Sequence, residues 1–270
     1  MVPSSATESA FCTIVTSPLV GTAVLSVELS KNDIVTDVDV LTGADRPTVA
    51  VLGDHLVDPF ADATSAGLST PRLADDLGAA LRANTLGVPD YGVVASGIEN
   101  NRMATEQDRG GPAVLTRLDR DVLDLPGITT VVVDTGLEDI VAGTDDTTLE
   151  NSYGLLRDQL RAWGIKVVFT TLTPCDGYVP CTAAVDANRT DTNTWITDQS
   201  DFTTPTVGYV DAEEAVAVPD PASTADPPVL MLNAAAAPAD LDVGDHVNLS
   251  RDGYQGISDA FDLTTLGPDA

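Results

Sequence analysis

Positive charge is what this chain most conspicuously lacks. Of 270 residues only 13 are Lys or Arg, against 42 Asp or Glu, and Lys31 and Lys166 are the only lysines. A net charge of -29 repels polyanions, which excludes nucleic acid and anionic membrane as partners. Two readings of the imbalance stay open: adaptation to high salt, where screening relieves self-repulsion, or an acidic and merely very soluble surface. Cysteine is also scarce. Three residues are too few for a disulfide framework, although Cys175 and Cys181 are placed to pair locally in an oxidising compartment, leaving Cys12 alone. Three reduced thiols are the equal alternative. No apolar run is long enough to span a membrane, and the N-terminus lacks a basic start followed by an apolar block. The compartment therefore stays open between the cytoplasm and secretion with the leader absent. Aromatics make up only 4%, and histidine occurs only as His55 and His246.

What is present is a core-forming alphabet of Val, Leu, Ile and Ala, enough for one large α/β domain. The stretch Thr48 to Asp58 is the pivot: an apolar run stops at Gly53 and passes the chain to Asp54 and His55. Further runs at Tyr91 to Ala95, Ile128 to Asp134, Ile165 to Thr171 and Thr206 to Val210 read as strands. Between them, helical spacing predicts helices over 70–84, 112–125, 147–163 and 182–198, and a closing helix over 249–263. Strand and helix alternating with long crossovers predict a three-layer α/β/α sandwich with a central parallel sheet, flavodoxin-like in plan. Residues 1–45 read as a short β-rich extension of two or three strands, and 46–270 as the main domain. Residues 219–242, rich in Pro, Ala and Asp, read as a surface excursion.

Three of the central strands end in glycine and polar residues, which gathers Gly53-Asp54-His55, Gly97 to Arg102 and Gly136 to Asp139 on one rim. With Asp242 to Asn248 these segments resemble, in order and spacing, the four blocks of the SGNH hydrolases, the GDSL-type esterases and lipases. Leu172-Thr173-Pro174 and Asp252-Gly253-Tyr254 are also similar to this family. The resemblance implies ester hydrolysis by a serine, with an oxyanion hole from a glycine and an asparagine, and an Asp–His pair. At the corresponding positions stand His55 for the nucleophile, Asn100 for the glycine, Glu138 for the asparagine and Asn248 for the histidine; only Asp245 is retained.

Asn248 has no titratable nitrogen and cannot serve as general base, and an ionised Glu138 would repel an oxyanion. The expectation is a catalytically degenerate hydrolase fold, a pseudoenzyme, that keeps a rim pocket for a small acyl or carbohydrate-like ligand, lined by Asp54, Asn101, Arg102, Asp139 and His246, with no cofactor. An active ester hydrolase with a rearranged His/carboxylate site, or one assisted by a metal on His55, Glu138 and His246, is the alternative, and a scaffold module the third. Arg102 also has a purely structural reading, paired with Glu106 or Asp108.

Overall fold

The computed structural model describes residues 12–16, 23–27, 46–57, 72–83, 86–88, 91–106, 110–200, 203, 205–233 and 241–267. The backbone falls into two compact units, Met1–Leu41 and Thr42–Ala270. In the first, β1 (Cys12–Thr16) and β2 (Ala23–Val27) pair as an antiparallel ribbon. A third strand before Leu41, the loop over 59–69 and the start of the first helix at residue 70 or 71 lie outside the described residues.

The second unit is built on five parallel strands: β3 (Thr48–Gly53), β4 (Gly92–Gly97), β5 (Ile128–Asp134), β6 (Lys166–Thr170) and β7 (Val207–Val210), in the order β4-β3-β5-β6-β7. Side chains alternate across the sheet. Val49, Val51, Val132 and Val168 face one core, shared with Leu73, Leu77 and Leu81 of α1 (Leu73–Ala83) and with Tyr254 and Ile257 of α7 (Arg251–Asp259). Ala50, Leu52, Val131, Val133, Val167 and Phe169 face the other, packed against α2 (Val114–Leu118), α4 (Asp146–Ala162) and α5 (Ala183–Asp198). Each fully buried Val or Leu is worth about 1.5–3 kcal/mol. That double burial is why the strands read as unbroken apolar runs, and it gives the three-layer α/β/α sandwich.

Local chemistry sets the helix ends. Asp145 accepts the Thr148 amide at 2.7 Å to start α4, Thr182 caps α5, and Ser250 caps α7. The single helix expected over 112–125 is instead α2 followed by a π-helical turn, Asp119–Leu123, closed by the Asp124 amide on the Asp119 carbonyl. Periodicity also missed two short helices, α3 (Leu137–Val141) and α6 (Ala212–Val216), and the antiparallel pairing of β8 (Ala217–Pro219), at the start of the supposed excursion, with β9 (Leu230–Leu232) within it. Asp211 caps α6 by accepting the Glu214 amide, and Glu213 pairs with the buried Arg189 at 2.5 Å. Cys175 and Cys181 form a disulfide across Cα atoms 5.8 Å apart. Trp195 stacks on Tyr153 in the core, whereas Trp163 lies exposed. No helix among the described residues is long and apolar enough to cross a membrane.

Candidate active site

The register of the sheet creates the site. Gly53, Gly97 and Asp134 lie level at the ends of β3, β4 and β5, so the three following loops leave the sheet side by side. Gly53 is required there: a Cβ would stand 2.0 Å from the Asp134 carbonyl oxygen. The Ile98 amide then donates to the Gly53 carbonyl at 3.2 Å, and the Asp54 amide to that of Asp134 at 3.3 Å, tying the three loop starts together.

His55 follows and is 6% exposed. Its Nδ1 lies 3.2 Å from Asp54 Oδ1, which also accepts the Leu56 amide, while its Nε2 is buried without a hydrogen-bond partner. Burial disfavours the charged ring, but the charge and hydrogen bond of Asp54, reinforced by Glu138 and Asp134, outweigh it and raise the pKa from 6.5 to about 9. Asp134 is itself pushed up to about 7, chiefly by burial and then by Asp54, against the Thr170 hydroxyl that donates to it at 2.7 Å. Burial also raises Glu138, with the charges of His55 and Arg102 opposing. Beside this cluster the last loop brings Asp245, whose Oδ2 accepts Asn248 Nδ2 at 2.7 Å and whose Oδ1 accepts the Asn248 amide at 2.8 Å.

Solved structures share this fold. A G-D-S-L family protein from Desulfitobacterium hafniense DCB-2 superposes with a TM-score of 0.54 at 14% identity, covering 80% of this chain and 97% of its own. Axe2, an acetylxylan esterase from Geobacillus stearothermophilus, gives 0.56 at 14% identity, over 82% of this chain and 94% of its own. The aryl esterase of M. smegmatis gives 0.54 at 13%, over 78% and 94%. This chain has the SGNH hydrolase fold. No protein-family model and no curated protein sequence matches it.

Within the SGNH frame, Asn100 has φ of +58°, the left-handed backbone that suits the glycine of the family pattern and that asparagine tolerates better than other residues.

Other expected site residues make hydrogen bonds within the protein itself. Asn101, fully buried, donates to the carbonyls of Gly110 and Pro112 and accepts from Arg117 Nε at 3.1 Å. Asp139 accepts the Met103 amide at 2.6 Å and the Ala104 amide at 3.4 Å, and burial holds its pKa near 6 against those bonds. Asp54 orients His55. His246, with φ of +68°, lies against Gly177 with its Nδ1 3.1 Å from Asp242. It is thus directed to that aspartate rather than into a cluster with His55 and Glu138, and among the described residues no three His, Cys, Asp or Glu side chains gather as metal ligands. Of the two pairing partners read for Arg102, Asp108 lies outside the described residues.

The organising residue that sequence reasoning missed is Arg117, 2% exposed. It donates to the Gly53 and Ser96 carbonyls, both at 2.8 Å, besides Asn101, and pairs with Asp121 at 2.5 Å. Its i,i+4 spacing to Asp121 was the available signal. An open groove of about 420 Å³ lined by Asp211, Glu214, Ala215, Gly256, Asp259 and Ala260 includes none of the rim residues.

The raised pKa of His55 has a measurable consequence. A basic group that gains proton affinity on folding contributes stability that is complete below its unfolded pKa and is lost as pH rises through its folded one. His55 should therefore titrate near pH 9 in a proton NMR pH series, and unfolding free energy should fall between roughly pH 6.5 and 9 by an amount absent from His55→Gln. A ring titrating at the ordinary 6.5 would contradict the Asp54 pairing.

Proposed function

We propose that this protein uses the SGNH hydrolase fold to hold a small acyl or carbohydrate-like ligand at the strand-end rim without hydrolysing it. The observation that carries this reading is the Asp245–Asn248 contact at 2.7 Å. The aspartate that should hold a catalytic imidazole holds a carboxamide, which can neither take nor return a proton in the neutral range. The nucleophile position supports the same conclusion. Asp54 outweighs burial and raises the His55 pKa to about 9, which favours at neutral pH the protonated ring, a form that neither attacks nor accepts a proton. Glu138 places a carboxyl where a neutral oxyanion donor is needed, and loss of one such donor alone costs roughly a hundredfold or more. The ligand class comes from structural neighbours described as an acetylxylan esterase and an aryl esterase, at identities that carry fold and no more.

Purified protein given short-chain aryl acetates should release product no faster than a heat-denatured control between pH 6 and 9. Turnover above that control that disappears in His55→Ala would overturn the reading and install a histidine-based hydrolase.

A further inference from the structure

A covalently closed loop braces the last rim segment. The Cys175–Cys181 disulfide closes it over a separation of 6 residues, and inside it the Tyr178 amide donates to the Cys175 carbonyl at 3.0 Å and the Cys181 amide to the Tyr178 carbonyl at 2.8 Å. Two contacts join this disulfide loop to the rim. Gly177 lies so close to the His246 side chain that a Cβ there would stand 2.7 Å from Cγ. Cys175, fully buried, packs with Leu137 and Val247 in a small apolar cluster apart from the two main cores. Leu137 precedes Glu138 and Val247 precedes Asn248, so one short loop bears on two of the family positions.

The segment it touches is under backbone strain. His246 has φ of +68°, a conformation that a non-glycine residue keeps only where its surroundings over-determine it. Within the segment Asp242 accepts the His246 amide at 3.1 Å, and Asp245 accepts those of Val247 and Asn248 at 3.1 and 2.8 Å. The disulfide loop adds support from outside. A disulfide constrains the unfolded chain more the longer the stretch it closes, so one this short acts where it sits rather than on the whole fold. Its sulfurs also differ in access: Cys175 is 0% exposed, whereas Cys181 is half-buried beside the exposed Val179 and Pro180.

We propose that the Cys175–Cys181 disulfide is a redox latch on the rim segment Asp242 to Asn248: oxidised, it holds the segment, and reduced by a dithiol, it lets the segment open. A thiolate of the dithiol attacks Cys181 Sγ and breaks the S–S bond, and Cys175 leaves as a thiolate that takes a proton from solvent. The dithiol's second thiol, on losing its proton, displaces Cys181 and closes the reductant's own disulfide, so two electrons pass to the protein. With the bond open, Gly177 no longer bears on His246 and Cys175 is no longer fixed against Val247. The latch acts on the order of the segment that carries Asp245 and Asn248, whatever the rim binds.

The test follows backbone amide exchange by NMR in the full-length protein before and after dithiothreitol, with a thiol titration confirming that the bond has opened without denaturant. Expected is exchange at least about tenfold faster at Gly244, His246, Val247 and Asn248, at unchanged rates for Val51 and Val132 in the central sheet, and a return to the slow rates on reoxidation. The side-chain resonances of His246, assigned with His246→Gln, should move in step. Cys181→Ser, which leaves the buried Cys175 in place, should show the fast segment without any reductant. Segment amides as slow after reduction as before, sheet amides that quicken alongside them, or a disulfide that dithiothreitol reaches only in urea overturns the proposal. The second of these results would make the bond a staple of the whole fold, and the third a sealed structural one. Ester turnover bears on none of these outcomes, so the latch and the non-hydrolysing reading stand or fall separately.

Discussion

A chain carrying His55→Ser, Asn100→Gly, Glu138→Asn and Asn248→His together is expected to hydrolyse short-chain aryl esters at least about a thousandfold faster than the parent. The scaffold for that gain is already in place. Asp245 accepts a side-chain N–H from residue 248 at 2.7 Å, so an imidazole there meets a partner in position to fix its tautomer. Residue 100 already has the left-handed backbone that glycine adopts without strain. The end of β3 is level with those of β4 and β5, which sets residue 55 beside the loops carrying residues 100 and 138. Members of such a site act as a unit, so each single reversion should leave the rate at background, and only the combination should recover it. A combined variant that keeps the parent's circular dichroism and melting curve yet turns over nothing would show that the rim loops are not in catalytic register.

The second large effect concerns stability. Arg117→Met is expected to destabilise the main unit by about 2–4 kcal/mol, because it takes from Asp121 the buried one of its two cations, leaving the exposed Arg120, and removes the side-chain donor to the carbonyls of Gly53 and Ser96 and to Asn101. Burial lowers the Arg117 pKa, and Asp121 opposes that shift. Four acceptors are satisfied by one planar fork, a geometry an ammonium cannot copy, so Arg117→Lys should recover little of the loss. Urea unfolding gives the measurement, as a shift in midpoint at unchanged slope. A loss below about 1 kcal/mol would mean that the rim loops hold their places without this residue.

The layers were legible in the sequence because doubly buried strands announce themselves. Val49 to Leu52, Val131 to Val133 and Val167 to Phe169 have no exposed face and hence no polar alternation. The rim was legible because glycine followed by acid and amide residues marks three strand ends. Less was visible where long-range contacts decide. Five-residue helices such as α3 and α6 carry too little periodicity to register. The π turn after Leu118 is invisible to a pattern that counts only apolar positions. The hydrogen bonds of Asn101 and Asp139 were not legible, because sequence gives residue type but not the amides and carbonyls that the folded loops bring to them. Arg117 was passed over for the same reason: its acceptors lie 21 and 64 residues away along the chain.

Tyr254 and Ile257, near the end of the chain, complete the core begun by Val49 and Val51 near the start of the main unit. Every pairing in the central sheet is parallel, so no two of its neighbouring strands can close as a local hairpin. The order in which a ribosome releases this polypeptide therefore differs from the order in which one sheet face is sealed. Until the final helix emerges, the face of the nascent sheet bearing Val49 and Val51 has α1 but not α7 packed on it. Half of an apolar face thus waits for the last-made helix, the kind of surface through which partly folded chains associate.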